Sequence, residues 1–136
     1  MADMIIATEK TFDKDVKESG EMYLETILRL QEGGVPVRSV DIAEAMNFSK
    51  PSVSRAVKIL LEKNYISLDK HKNILLTETG RAIATAVFKR HSVLTKFFLS
   101  LGVTPETAEN DACRIEHIIS DETFEKLCEK FDTPTV

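Results

Sequence analysis

The spacing of apolar residues changes period twice along the chain, and the changes divide it into elements. Met22, Tyr23, Ile27 and Leu30 recur at near-helical spacing, with Ser19 as the expected N-cap and Gly33 and Gly34 as the stop. The residues before them, 1 to about 12, show no period and read as a loose arm. Pro36 keeps the chain extended, after which Val40, Ile42, Ala43 and Ala45 give an apolar side to a short helix over 37–45, capped by Ser39. A break at Asn47 and Phe48 ends it. Ser49, Lys50, Pro51 and Ser52 then open a third helix, with the serine at the N-cap and the proline in the first turn, where its missing N–H costs nothing. Val53, Ala56, Val57, Leu60 and Leu61 form the inward stripe of that helix.

Beyond Asn64 the period shortens to that of strands. Residues 65–68 and 73–77 predict a hairpin whose polar tip is Asp69, Lys70, His71 and Lys72. Helical spacing returns after Gly80 and runs through Ala82, Ala86 and Val87 to about Leu101, before Gly102 interrupts it. Thr104, Pro105 and Glu106 start a further helix. Phe124, Leu127, Cys128 and Phe131 mark a last amphipathic one, ahead of a Thr/Pro-rich end expected to fray. The fold class this pattern implies is mainly α: a winged helix-turn-helix with a two-stranded wing over residues 1–80, followed by an all-helical domain over 81–136.

Length and charge refine that picture. A chain of 136 residues holds one domain, or a small module with a helical appendage. No stretch approaches the roughly 20 apolar residues of a membrane span. The start MADMIIATEKTF lacks the basic, apolar character of a secretory signal, so a cytoplasmic protein without membrane contact is expected, with Cys113 and Cys128 as reduced thiols. The net charge of −4 conceals a polarity, because residues 38–91 carry ten Lys and Arg against five Asp and Glu while both flanks are acidic. Nucleic acid would lie along the basic middle.

Two short helices and a basic-tipped hairpin place the start of the second helix where it can enter a major groove. Ser49, Ser52 and Ser54 offer hydroxyls to phosphates or base edges, Arg55 can fork onto guanine or phosphate, and Pro51 can touch a thymine methyl. Lys50 and Lys58 suit backbone contacts, and Arg38 is placed in the same DNA-binding set. Lys70, His71 and Lys72 suit a phosphate or minor-groove contact from the wing. The competing reading is that the serines only cap a helix and that the unit docks protein. Since one recognition helix reads few base pairs, a two-fold homodimer on a palindromic site is expected.

A second constellation lies downstream. Cys113, Glu116 and His117 stand at i, i+3 and i+4, on one helical face. Thiolate, carboxylate and imidazole together suit a borderline divalent transition metal rather than calcium or magnesium, which prefer oxygen. Taken alone, the triplet could equally be coincidence.

Four stretches together resemble the diphtheria-toxin-repressor family: Glu21-Met22-Tyr23-Leu24; Ser49-Lys50-Pro51-Ser52-Val53-Ser54; Ala84-Thr85-Ala86-Val87 with His91; and Cys113-Arg114-Ile115-Glu116-His117-Ile118-Ile119-Ser120-Asp121-Glu122. The resemblance runs from about residue 15 to about residue 128. It implies a bacterial repressor that dimerises through the helices after the wing, making 81–136 a metal-binding and dimerisation domain, and that binds double-stranded operator DNA when loaded with Fe(II) or Mn(II). The gating site of the iron branch is similar to Met22, Cys113, Glu116 and His117, with Met22 supplied by the first helix. A second site uses a histidine at the position of His91, and the manganese branch adds a glutamate at that of Glu25. The chain mixes the two patterns, and it carries Thr95 and Glu109 where the iron branch has glutamate and histidine.

The function this implies is metal-gated repression controlling metal homeostasis. Two alternatives compete with it: a winged-helix regulator sensing a small ligand or oxidation of Cys113, and a small metal-dependent hydrolase. Against the hydrolase stand the lack of a Gly-rich phosphate loop, of a Ser/His/Asp arrangement and of an obvious base near the metal donors, so no enzyme is expected. His91 could instead be a solvated or capping histidine and Met22 a core residue. Cys128 reads as packing, and Phe88, Phe97, Phe98 and Leu101 as core or dimer contacts.

Overall fold

The computed structural model describes residues 14–131, so the expected loose arm and most of the Thr/Pro-rich end lie outside the described residues. Within them run α1 (Lys14–Glu32), α2 (Ser39–Met46), α3 (Lys50–Glu62), β1 (Ile66–Leu68), β2 (Ile74–Leu76), α4 (Glu78–Ser100), α5 (Pro105–Ile115) and α6 (Asp121–Lys130). The architecture is mainly helical, with a winged helix-turn-helix. Two compact units divide between Thr85 and Ala86. No helix among the described residues is long and apolar enough to cross a membrane.

In the first unit α1 begins upstream of Ser19, which therefore sits inside the helix and does not cap it. Lys14 to Glu18 contain only residues that a helix tolerates, so it propagates past the expected start. Gly34, at φ +82°, turns the chain after its last residues. The cap of α2 is also displaced by one residue. Arg38 holds the N-cap position, and its N–H donates to the Asp41 carboxylate at 2.8 Å, so Asp41 does the work expected of Ser39. Val40 and Ala45 are exposed, leaving Ile42 and Ala43 as the buried side of α2. Asn47 ends that helix in the left-handed region at φ 57°.

The start of α3 follows the sequence pattern. Ser49 accepts the Ser52 N–H at 3.3 Å, and Pro51 lies in the first turn. Val53, Val57 and Leu60 are buried, with Ala56 and Leu61 half-buried beside them. Val53 and Leu60 join Leu24, Ile27, Ile42, Ile66 and Ile74 in the fully buried set.

The hairpin is antiparallel, pairing Ile66 with Leu76, Ser67 with Leu75 and Leu68 with Ile74. A bridge from Val37 to Ile74 extends it, the Ile74 N–H donating to the Val37 carbonyl at 2.7 Å. At its base Thr77 caps α4, its hydroxyl oxygen accepting the Gly80 N–H at 3.1 Å. Gly80 is obligatory there, because a Cβ would stand 2.0 Å from the Tyr65 carbonyl oxygen.

In the second unit Val87, Val93, Leu94, Ala108, Ala112 and Phe124 are buried. Phe97 packs edge-on against Phe131 with ring centroids 5.6 Å apart, and Phe98 is tilted beside it. Leu101 is 64% exposed and Ile118 62% exposed, so neither is core within one chain. Ser120 caps α6 by accepting the Thr123 N–H at 3.1 Å.

Candidate metal centre and nucleic-acid interface

In the second unit a histidine, a cysteine and a glutamate from two helices converge. The donor atoms of His91, Cys113 and Glu116 lie within 4.8 Å of one another. His91 is in the middle of α4 and 7% exposed, which excludes a solvated or helix-end histidine. Glu116 is the C-cap of α5, but its backbone stays right-handed (φ −59°, ψ −22°), so the helical stagger persists and its side chain remains on the Cys113 side. A carboxylate with no exposed surface needs hydrogen-bond partners. His91 Nδ1 meets one Glu116 oxygen at hydrogen-bond distance, 2.8 Å, whereas His117 Nε2 stands 3.4 Å from the other as a charge contact and not a hydrogen bond. The histidine implied for a second site thus reaches the same carboxylate as the Cys113/Glu116 pair. Cys113 is exposed, which leaves the cluster an opening to solvent.

The mixed donor set fits a divalent transition metal. Imidazole, thiolate and carboxylate are the ligands such ions take together, and side-chain shifts of about 1 Å would bring donors this close to bond lengths of about 2.0–2.3 Å. Around this set, Glu109 brings a carboxylate oxygen to 3.7 Å from His91 Nε2. The Thr95 hydroxyl, one turn beyond His91, is buried with no hydrogen-bond partner in the structure. The preceding residue, Arg90, donates from Nη1 to the carbonyls of Glu116 and Ile119, each at 3.3 Å. Its Nη2 pairs with the Asp121 carboxylate, and the guanidinium lies 5.6 Å from the centre of the Phe124 ring.

Met22 and Glu25, the donors implied from the first helix, belong to the first unit, one turn apart on α1. Met22 is half-buried, and Glu25 is buried with one oxygen accepting from Arg29 Nη2 at 2.7 Å. Cys128 is half-buried on α6 and is not among the three grouped donors.

On the DNA-reading side, Pro51, Ser54, Arg55 and Lys58 are exposed at i, i+3, i+4 and i+7 of α3, opposite Val53, Val57 and Leu60. Ser49 and Lys50 are exposed at the helix start, while Ser52 is half-buried and accepts from the Ser49 hydroxyl at 2.9 Å. Ser49 and Ser52 therefore serve the cap as well as any ligand. Burial pushes the Tyr23 phenol up, partly opposed by the charge of Arg55. In the wing Lys70, His71 and Lys72 are all exposed. Arg38 has a structural task alongside them: its Nε donates to Asn73 Oδ1 at 3.2 Å and its Nη2 to the His71 carbonyl at 2.7 Å, tying the entry of α2 to the wing.

Sequence reasoning missed the residues that hold these surfaces. Asp69 accepts the backbone N–H groups of His71 and Asn73 at 2.8 and 2.9 Å and the Asn73 side-chain amide at 3.1 Å. The Asn73 N–H does most to hold its carboxyl below the usual carboxylate range, with burial opposing it and the Asn73 amide and His71 N–H adding to the lowering. An aspartate opening a polar tip before Asn is an Asx-turn signal that could have found it. Arg90 offered no such signal, because its acceptors lie 26 to 31 residues away.

Residues 15–74 match the family model described as the iron dependent repressor N-terminal DNA binding domain. Residues 77–136 match that of the iron dependent repressor metal binding and dimerisation domain. Among curated proteins, the diphtheria toxin repressor of Corynebacterium jeikeium is 34% identical over 115 residues, covering 84% of this chain and 48% of that protein. The iron-dependent repressor IdeR of Mycobacterium tuberculosis is 32% identical over 122 residues, covering 89% and 53%. The solved structure of the manganese regulator SloR superposes with a TM-score of 0.77 at 32% identity, over 86% of this chain and 55% of that one. The chain spans about half the length of these relatives. With both family domains matched in order and the fold shared, the chain belongs to the iron-dependent, diphtheria-toxin-repressor family.

Proposed function

We propose that this chain is a metal-activated transcriptional repressor, not an enzyme, acting in the cytoplasm as a homodimer on palindromic double-stranded DNA, with Fe(II) or Mn(II) as the activating ion. The observation that carries the reading is the convergence of His91, Cys113 and Glu116 within 4.8 Å, in a chain that also bears an exposed basic helix and wing. Relatives named as iron-dependent repressors and a manganese regulator support it.

Residues 1–80 are assigned to DNA reading, and 81–136 to metal binding and dimerisation. His91, Cys113, Glu116 and His117 would hold the ion; Met22 and Glu25 are added as ligands on the family resemblance alone. A bound divalent cation supplies positive charge to a buried carboxylate and links side chains of α4 and α5, which favours one arrangement of the unit over others. The chain's own residues do the rest. Glu116 and His91 are held in contact at 2.8 Å, so these two ligands already stand side by side. Exposed Leu99, Leu101 and Ile118 give the second unit apolar surface for a second copy. On α3, Arg55 and Ser54 face outward to read base edges, with Lys50 and Lys58 on phosphates. Lys70, His71 and Lys72 extend the contact from the wing.

The test is selection from a random duplex library with the Mn(II)-loaded chain. The reading expects enrichment of a two-fold symmetric sequence with half-sites about one helical turn apart. Recovery of unenriched sequence, with purely salt-dependent binding, would overturn it.

A further inference from the structure

Two consecutive residues of α4 hold opposite ends of Glu116. His91 contacts its carboxylate at 2.8 Å, while Arg90 holds its carbonyl at 3.3 Å. Arg90 does not stop there: the same guanidinium takes the Ile119 carbonyl and the Asp121 carboxylate. The whole turn from Glu116 to the first residue of α6 is therefore gathered on one side chain. The peptide groups of that turn follow the end of α5, where carbonyls lack intrahelical partners. A planar guanidinium can serve three acceptors at once in a fixed fork, which a single ammonium cannot. Phe124 lies under it and is itself 9% exposed, so the fork is backed by a buried ring.

We infer that Arg90 is a positioning residue for metal binding: it fixes the turn carrying Glu116 and His117 and so sets the affinity of the centre without ligating the ion. The inference rests on the metal-site reading above. Partners that orient ligands from outside the coordination shell typically change metal affinity about 10–100-fold when removed. Arg90 orients its ligand through the main chain, and its effect is separable from general stability because its own contacts fall on a turn and a helix start.

The experiment compares wild type, Arg90→Met and Arg90→Lys by titration with Co(II), read from the ligand-field absorption, and with Mn(II), alongside urea unfolding in chelator. Arg90→Met keeps an unbranched stem over Phe124 and removes every donor; Arg90→Lys keeps the charge but loses the fork. The expected result is Co(II) affinity weakened about 10–100-fold in Arg90→Met, with altered absorption bands, and partial recovery in Arg90→Lys. A purely structural role would lower the urea midpoint and leave affinity and bands of the folded protein unchanged. Should Arg90→Met not fold, Arg90→Lys decides alone. Wild-type affinity and bands in the folded variants overturn the inference while the site stands. A wild type that binds neither ion overturns the site and the inference with it.

Discussion

Gly80→Ala separates what helix propensity predicts from what this fold requires. Gly80 lies in the first turn of α4, where alanine would ordinarily stabilise the helix by up to about 1 kcal/mol. In the structure the added Cβ would lie 2.0 Å from the Tyr65 oxygen and 2.9 Å from its carbonyl carbon. That is about 1 Å or more inside ordinary contact, and the obstacle is backbone, which cannot rotate away. Relief requires moving Tyr65 away from Gly80, which breaks the Thr77 N–H bond to the same carbonyl, now 3.1 Å. Overpacking costs about 1–3 kcal/mol, and the lost hydrogen bond adds about 1 kcal/mol. After the propensity gain the net is roughly 2 kcal/mol of destabilisation, a fall of roughly 5–15 °C in melting temperature. Circular dichroism melts and urea midpoints in chelator measure it, and amide shifts at Tyr65 and Thr77 locate it. A variant as stable as wild type, or more so, would refute the close packing of the hairpin base on α4.

Glu116→Gln keeps the shape of a fully buried side chain but removes a charged donor. It is expected to keep its helical circular dichroism in chelator and to lose measurable Co(II) and Mn(II) binding, checked by calorimetric titration. Asp69 has a depressed folded pKa, so its contribution to wing order is present above the unfolded value of about 3.9 and is lost only as pH falls through the lower folded one. A carboxyl chemical-shift titration should therefore place it below the ordinary aspartate range, and a midpoint within or above that range contradicts the wing geometry. Lys70→Ala should weaken binding to all duplexes similarly and lower the salt slope by about 1, whereas Arg55→Ala should cost about 1–3 kcal/mol on the selected duplex and relax its specificity. Both are read by fluorescence anisotropy across a salt series, and a sequence-independent effect of Arg55→Ala would remove its base-reading role.

The local signals of this sequence were legible where chemistry is short-range. Ser49 and Pro51 mark the start of α3 because capping is settled within a few residues. The stripe Val53, Val57 and Leu60 is legible because helical period fixes which side is buried. Ser19 and Ser39 misled for a related reason: a serine is a good cap only where the helix has no better way to begin, and upstream propagation and Asp41 supplied one. The candidate centre was half legible. Cys113 and Glu116 share a helix, so their spacing showed them together, while His91 is 25 residues from Glu116 and entered only through family resemblance. Arg38 looked like a free cation because nothing local reveals that its guanidinium holds the wing.

The central claim joins the donor cluster of the second unit to DNA binding by the first. The measurement that tests it most directly is anisotropy of the selected duplex titrated with this chain, in chelator, in Mn(II) and in anaerobic Fe(II). The account predicts tighter binding with metal by about 5–150-fold, and no such gain for Glu116→Gln. Equal affinity with and without metal in the wild type would contradict it.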